Sequence, residues 1–131
     1  MRFDSTGIIL YVIHYQKCVT FYKDVIGLPV LFTTEALTCF AFGDAYLMVE
    51  LDDTYDGSEE IHSRVKTCLR MNVPDVKLLA DKLISQKIEV DYQEHSWGTI
   101  AKFNDPDGNL CAFKDSATFE KQIIEHKAIS K

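Results

Sequence analysis

The chain has 131 residues, 47% of them hydrophobic and 26% charged, which is typical of an ordinary soluble globule and corresponds to one domain, 1–131. A chain of this length buries enough surface to fold without disulfides or metals. The net charge of −6 and the lack of a Lys/Arg cluster argue against nucleic acid as a partner, because a phosphate backbone requires a basic face. No apolar run approaches the roughly 20 residues of a membrane span, so no membrane partner is expected.

The four cysteines are scattered along the chain and none forms a C-x-x-C pair: Cys18, Cys39, Cys68 and Cys111. The N-terminus does not resemble a secretory leader, because Arg2 is its only basic residue and Asp4 interrupts it. Scattered cysteines in this setting indicate reduced core residues, so a cytoplasmic location is expected.

The first half of the chain predicts a strand, a helix and three further strands. The apolar run 7–13 is rich in β-branched residues, which favours a strand. Apolar residues then recur at spacings of three and four, which predicts a helix over 15–26 that Gly27 ends. Three strand-like runs complete module one, residues 1–51; they are 29–33, 37–42 and 46–51.

A polar, acidic segment, 52–65, predicts a linker, and the pattern then starts again in module two, 66–115. The predicted elements of module two are a strand over 66–73, a helix over 74–87 and strands over 88–92, 99–104 and 110–114. A C-terminal helix over 116–128 follows, with Ser116 as N-cap and with Phe119, Ile123 and Ile124 facing inward.

The two halves repeat at a constant offset of 61 residues. Val12, Tyr15, Cys18, Val19 and Tyr22 correspond to Val73, Val76, Leu79, Ala80 and Leu83. The repeat predicts an α+β fold of paired βαβββ modules with eight strands in one mixed sheet.

Three motifs resemble those of the vicinal-oxygen-chelate superfamily, which includes glyoxalase I, the bleomycin-resistance proteins and extradiol dioxygenases. They are Phe21-Tyr22-x-x-x-Ile26-Gly27-Leu28, Trp97-Gly98 and the hairpin Asp105-Pro106-Asp107-Gly108-Asn109. The resemblance implies that the paired modules form a U-shaped mixed sheet with helices on its convex face. It also implies a metal or organic ligand on the concave face, and assembly as a homodimer.

The resemblance places the four metal-ligand positions of the family at Gly7, Glu50, Cys68 and Ala112. Only Glu50 is an orthodox ligand for such a site, whereas a divalent ion needs three or four donors. No cofactor is therefore expected, and a divalent metal is disfavoured. A shift in the alignment with the family would make His14 or His62 a candidate metal ligand, but both are predicted to lie at the surface. His95 and His126 are predicted at the surface as well.

Strand alternation extends the predicted concave face beyond Glu50. The predicted ligand-binding residues are Glu50, Arg70, Tyr46, Met48, Tyr11, Cys68 and Trp97. Three alternatives stay open. Glu50 and Arg70 would form a structural ion pair, Cys68 would be a small buried hydrophobe rather than a nucleophile, and Trp97 and Tyr46 would belong to the core.

These observations favour a protein that binds a small organic molecule without the standard metal site, and no catalytic residue is assigned. The alternative function is a metal-dependent lyase, isomerase or dioxygenase of the same superfamily, with an atypical ligand set. A third possibility is a dimeric domain whose cleft is filled by its own side chains.

Overall fold

The computed structural model describes residues 1–2, 4–53 and 67–129, with only the backbone of residue 126. The first half contains β1 (Gly7–Val12), α1 (Tyr15–Thr20) continued by a π-helical turn (Phe21–Val25), β2 (Val30–Thr33), β3 (Leu37–Phe42) and β4 (Ala45–Leu51). The second half contains β5 (Cys68–Val73), α2 (Val76–Ser85), β6 (Asp91–His95), β7 (Gly98–Asn104), β8 (Leu110–Asp115) and α3 (Ser116–Ile129).

The first sheet has the strand order β1-β4-β3-β2, with β1 parallel to β4 and the other pairs antiparallel. Burial alternates along β4, where Leu47 and Val49 are buried, whereas β3 has three consecutive buried residues, Thr38 to Phe40. The core of this unit consists of Leu10, Val12, Cys18, Phe21, Tyr22, Cys39, Phe40, Leu47 and Val49.

The second sheet repeats this arrangement in the order β5-β8-β7-β6, with β5 parallel to β8. The helix α2 packs on β7 and β8 through the apolar stripe predicted from the sequence, and Asp75 caps its N-terminus. The core of this unit includes Leu69, Val76, Ala80, Leu83, Ala101, Phe103, Cys111 and Phe113.

The internal repeat is confirmed in register as well as in element order. Strand β5 begins and ends 61 residues after β1, and α2 begins 61 residues after α1. Both modules are βαβββ, so the α+β class is confirmed. The prediction of eight strands in one mixed sheet was wrong in one respect, because each module forms its own hydrogen-bonded four-stranded mixed sheet.

The described residues divide into two compact units, and the boundary between them does not simply follow the chain. The first unit lies within Met1–Val65 but also contains Asp105–Gly108, whereas the second lies within Lys66–Asn104 and Asn109–Lys131. The predicted linker, 52–65, falls almost entirely outside the described residues, as does His62. The assignment of the whole chain to one domain stays a prediction.

The hairpin Asp105–Gly108 is fixed to the rest of the first unit by hydrogen bonds from Tyr22, Ile13 and His14. The Tyr22 hydroxyl donates to Asp105 Oδ2 at 2.8 Å, so two of the three sequence motifs meet here. The backbone N–H groups of Ile13 and His14 donate to Asp107 at 3.1 and 2.9 Å, and His14 Nδ1 lies 2.7 Å from Asp107 Oδ1.

The sixth strand begins three residues later than predicted. Lys87 takes a left-handed conformation with φ 64°, and the N–H of Ile88 donates to the carbonyl of Leu83 to close the end of α2. Since these residues finish the helix, pairing with β7 begins only at Asp91.

Two details of the C-terminal helix were predicted wrongly. Asp115, not Ser116, caps α3, because its carboxylate accepts from the N–H of Thr118 at 2.8 Å. Phe119, Ile123 and Ile124 do not face inward within the chain; their exposed fractions are 39, 41 and 66%.

All four cysteines are free thiols, as expected, and three of them are buried. Burial raises the pKa of Cys39, which keeps it a neutral thiol. Cys68 is exposed, so the alternative of a small buried hydrophobe is wrong at this position. The cytoplasmic location inferred from the thiols stays a prediction. In the part of the chain that the structure describes, no helix is long and apolar enough to cross a bilayer.

Candidate ligand-binding site

One face of the first sheet carries four of the predicted ligand-binding residues. Tyr11 pairs with Glu50, and Met48 and Tyr46 follow at alternate positions of β4. Aligned residues of neighbouring strands point to the same side of a sheet, so the four side chains share this face. Leu47 and Val49 point to the opposite side and are buried, which confirms the alternation predicted for β4.

Glu50 is the only charged side chain that β1 to β4 place on this face. The remaining groups are aromatic or aliphatic, and several are accessible: Tyr11 is 58% exposed and Ile9 43%. Phe32, which is 50% exposed and pairs with Cys39, extends the face and was missed from the sequence. Its position depends on a register shift between Val30 and Phe32, which residue alternation alone does not predict.

Tyr46 covers the first metal-ligand position of the family. Gly7 pairs with Tyr46, and a Cβ atom added to Gly7 would collide with the Tyr46 ring. Any larger residue at this position would have to displace the ring. The aromatic side chain therefore occupies the volume in which a donor side chain from β1 would lie.

The second sheet places Cys68 and Arg70 on one face, aligned with Leu110 and Ala112 of β8. Both side chains are exposed, so Arg70 does not need a buried partner. The Glu50–Arg70 ion pair stays a prediction, because Glu50 belongs to the first unit and Arg70 to the second.

Trp97 lies in the turn between β6 and β7 and not in the core. It is 44% exposed, and its ring stacks on the exposed ring of His95 with centroids 4.5 Å apart. The surface positions predicted for His14 and His95 are confirmed.

The four metal-ligand positions do not fit a divalent ion. Gly7 and Ala112 have no donor atom, and Ala112 is fully buried, which leaves Glu50 and Cys68 as the potential ligands. Among the described residues, no group of three His, Cys, Asp or Glu side chains is placed to hold a metal. Two protein ligands do not offset the free energy needed to remove water from a divalent ion.

A sequence profile of the Glyoxalase/Bleomycin resistance protein/Dioxygenase superfamily matches residues 2–113. The chain therefore belongs to this superfamily, as its three motifs and paired modules indicated. No curated protein sequence matches it significantly.

Several solved structures share the fold of this chain. A lactoylglutathione lyase from Agrobacterium tumefaciens aligns at 17% identity over 88% of this chain and 95% of its own, with a TM-score of 0.71. The antibiotic-binding protein TnmS3 from Streptomyces sp. CB03234 aligns at 20% identity over 87% and 96%, also with a TM-score of 0.71. A glyoxalase/bleomycin resistance protein from the same Streptomyces strain aligns at 20% identity over 84% and 99%, with a TM-score of 0.63.

Proposed function

We propose that the chain binds a small organic cation on the face of the first sheet that carries Glu50. The observation that carries this proposal is the position of Glu50, a half-buried carboxylate among aromatic and aliphatic side chains. A cation with an apolar body would pair with the carboxylate, while Tyr11 and Tyr46 would provide π faces.

A metal-independent role is supported by the placement of Tyr46 over Gly7. The net charge of −6 would favour the approach of a cationic molecule. The antibiotic-binding activity of TnmS3 supports the same type of function, since the two proteins share a fold.

Substitution of Glu50 by glutamine is expected to weaken cationic ligands selectively. The charge-assisted contact contributes on the order of 1–3 kcal/mol, so the Kd for benzylamine should rise by about 5-fold to 150-fold. Benzyl alcohol has nearly the same shape but no charge, and its weaker binding should hardly change. The measurement is isothermal titration or a thermal-shift titration, and Glu35→Gln is the matched control, because Glu35 is exposed between β2 and β3.

The same titration with Ni²⁺, Zn²⁺ and Mn²⁺ separates binding from metal-dependent catalysis. These ions should barely change the Tm of the native protein, because stabilisation by a ligand follows its affinity for the folded state. One metal ion per chain, retained by the native protein and lost in Glu50→Gln, would refute the proposal in favour of the enzyme.

We also propose that the protein is a homodimer, with β2 at the interface. β2 is an edge strand of the first sheet, and Val30, Leu31 and Phe32 are 41, 57 and 50% exposed. An apolar edge strand is normally covered, because it would otherwise recruit other chains.

The change Leu31→Lys is expected to dissociate this dimer without unfolding the monomer, since a charge on an exposed edge strand costs the isolated chain little. Sedimentation should show a dimer for the native chain at on the order of tens of micromolar and a monomer for the variant. Ile84→Lys on α2 is the control, because Ile84 is 53% exposed but lies away from β2 in sequence. A native chain that sediments as a monomer at this concentration contradicts the dimer.

A further inference from the structure

The C-terminal helix α3 has a side that the described part of the chain leaves exposed. The superfamily profile ends at residue 113, so α3 lies beyond the matched part of the chain. Its first turn is fixed to β8 by the hydrogen bond that Lys114 Nζ donates to Thr118 Oγ1 at 2.6 Å. From Phe119 to Ile129, every residue whose side chain is described is exposed. A helix of this length is only marginally stable in water by itself, because most helical stability in proteins comes from packing of one face. A covering surface is therefore expected.

Four residues form one stripe along α3, which we call the α3 stripe: Glu120, Ile123, Ile124 and Lys127. With about 3.6 residues per turn, the four fall within an arc of about 100° around the helix axis. Ile123 and Ile124, which are 41 and 66% exposed, lie at the centre of the stripe, one on each flank. Glu120 and Lys127 lie on either side of this centre, each at three and a half residues, or roughly 5 Å along the axis.

The charges of the α3 stripe are complementary to those of a second, antiparallel copy. If a two-fold axis passes through the centre of the stripe, Glu120 lies level with the partner's Lys127, and Lys127 lies level with the partner's Glu120. A parallel pair would instead place each charge against its own copy, which is repulsive. Within the described residues of the chain, Glu120 and Lys127 form no ion pair, whereas Lys121 pairs with Glu125 at 3.9 Å away from the stripe. Both charges of the stripe are therefore available to a second copy.

We infer that the α3 stripe is a self-association surface, on which a second copy of the chain packs its own α3 in the antiparallel direction. Ile123 and Ile124 pack against their copies beside the two-fold axis, and the two Glu120–Lys127 pairs set the direction and the register of the helices. This contact is separate from the β2 edge proposed above, and the inference does not depend on that dimer.

The size of the α3 stripe sets the strength of this contact. Two apolar side chains and two exposed ion pairs make a small interface, so we expect a Kd on the order of hundreds of micromolar. At lower concentrations the β2 contact alone would determine the oligomeric state. Where both contacts form, each dimer presents two further copies of α3, and dimers join into larger assemblies as the concentration rises.

The test uses the full chain with Leu31→Lys, which disables the β2 contact, so that association through α3 is measured alone. Sedimentation equilibrium up to about 1 mM should show reversible dimerisation, and the amide chemical shifts of the ¹⁵N-labelled chain should change with concentration within α3. The additional change Ile124→Lys should abolish both effects. Ile129→Lys is the matched control and should abolish neither, because Ile129 is 83% exposed but lies on the opposite side of the helix.

Charge reversal separates a specific helix pair from non-specific apolar contact. Glu120→Lys places like charges opposite each other at both ends of the stripe and should weaken association by about tenfold or more. Adding Lys127→Glu restores opposite charges in exchanged positions, so the Kd should return to within about threefold of the starting value. Gln122→Lys also adds positive charge to α3 but on the side away from the stripe, and it should change the Kd by less than about threefold.

Each of three results would overturn the inference. A Leu31→Lys chain that remains monomeric at about 1 mM would leave α3 to a different partner. Association that persists unchanged with Ile124→Lys would arise elsewhere on the molecule. A double reversal that associates no more tightly than Glu120→Lys would mean that Glu120 and Lys127 do not meet. Failure of the β2 dimer is a separate result, because it is measured on the native chain at on the order of tens of micromolar.

Discussion

Replacing Asp115 by alanine is expected to lower the free energy of unfolding by about 3–5 kcal/mol, because it leaves a buried charge without its partner. The ammonium group of Lys114, whose side chain is 3% exposed, lies 3.2 Å from Asp115 Oδ1. The same carboxylate accepts from the N–H groups of Thr99 and Thr118, both at 2.8 Å. Asp115 thus joins β7, β8 and α3. Chemical denaturation of the native chain and of Asp115→Ala measures the difference in the free energy of unfolding.

The ionisation of Asp115 gives this contribution a defined pH dependence. Burial by itself raises the pKa of Asp115, but hydrogen bonds from Thr118, Thr99 and Lys114 outweigh it and hold the pKa well below its ordinary value of 3.8. A carboxyl group with a lowered pKa stabilises the folded state fully above its ordinary pKa and loses this effect as the pH falls. The difference in unfolding free energy between the native chain and Asp115→Asn should therefore be constant above about pH 5 and shrink below pH 3.8.

The control for Asp115→Ala is the double change Asp115→Ala with Lys114→Met, which removes both members of the buried pair. Because no uncompensated charge remains, the double variant should be more stable than Asp115→Ala alone. A double variant whose loss equals the sum of the two single losses would show that the ion pair contributes nothing. Gly98 is part of this arrangement, since a Cβ there would collide with Lys114 and Thr118, which accounts for the glycine of the Trp97-Gly98 motif.

Asp107→Ala is expected to lower the free energy of unfolding by about 2–4 kcal/mol, the second largest effect. The Asp107 side chain is 2% exposed and accepts from the backbone N–H groups of Ile13 and His14. Without the carboxylate, these two donors at the junction of β1 and α1 lose their acceptor. The helix has no other side-chain cap there, because His14 makes no capping hydrogen bond. Thermal and chemical denaturation both report the change.

Asp44→Ala is the matched control for Asp107→Ala. Asp44 also follows a turn residue, Gly43, but it is exposed, so its removal should change stability by no more than about 0.5 kcal/mol. Equal losses for the two variants would mean that Asp107 does not fix the hairpin to the first unit.

The residue pattern predicted the secondary structure well wherever one element has one covered face. The alternation in β4 and the stripe of α2 depend on burial of every second residue or of one helical face, and both are properties of a short stretch of chain. The start of β6 was predicted three residues too early, because the residues that close the end of α2 have a strand-like pattern. The inward face predicted for α3 was wrong. The spacing of apolar residues shows that a helix has an apolar side, but it does not show which part of the protein covers that side.

Only part of the candidate site could be predicted from the sequence. Glu50, Tyr46, Met48 and Tyr11 share a face as predicted, since each strand fixes its own alternation. Phe32 was missed because of the register shift in β2.

The sequence by itself determined the family, the repeat at an offset of 61 and the two βαβββ modules, because local periodicity and turn residues encode each element and its order. The tertiary structure alone decided that Asp105–Gly108 belongs to the first unit, that Tyr46 covers Gly7, and that Asp115 accepts a hydrogen bond from Thr99. These features depend on strand register and on hydrogen bonds between distant parts of the chain. A shift of one residue in register would exchange the faces of a strand, and no local pattern specifies that pairing.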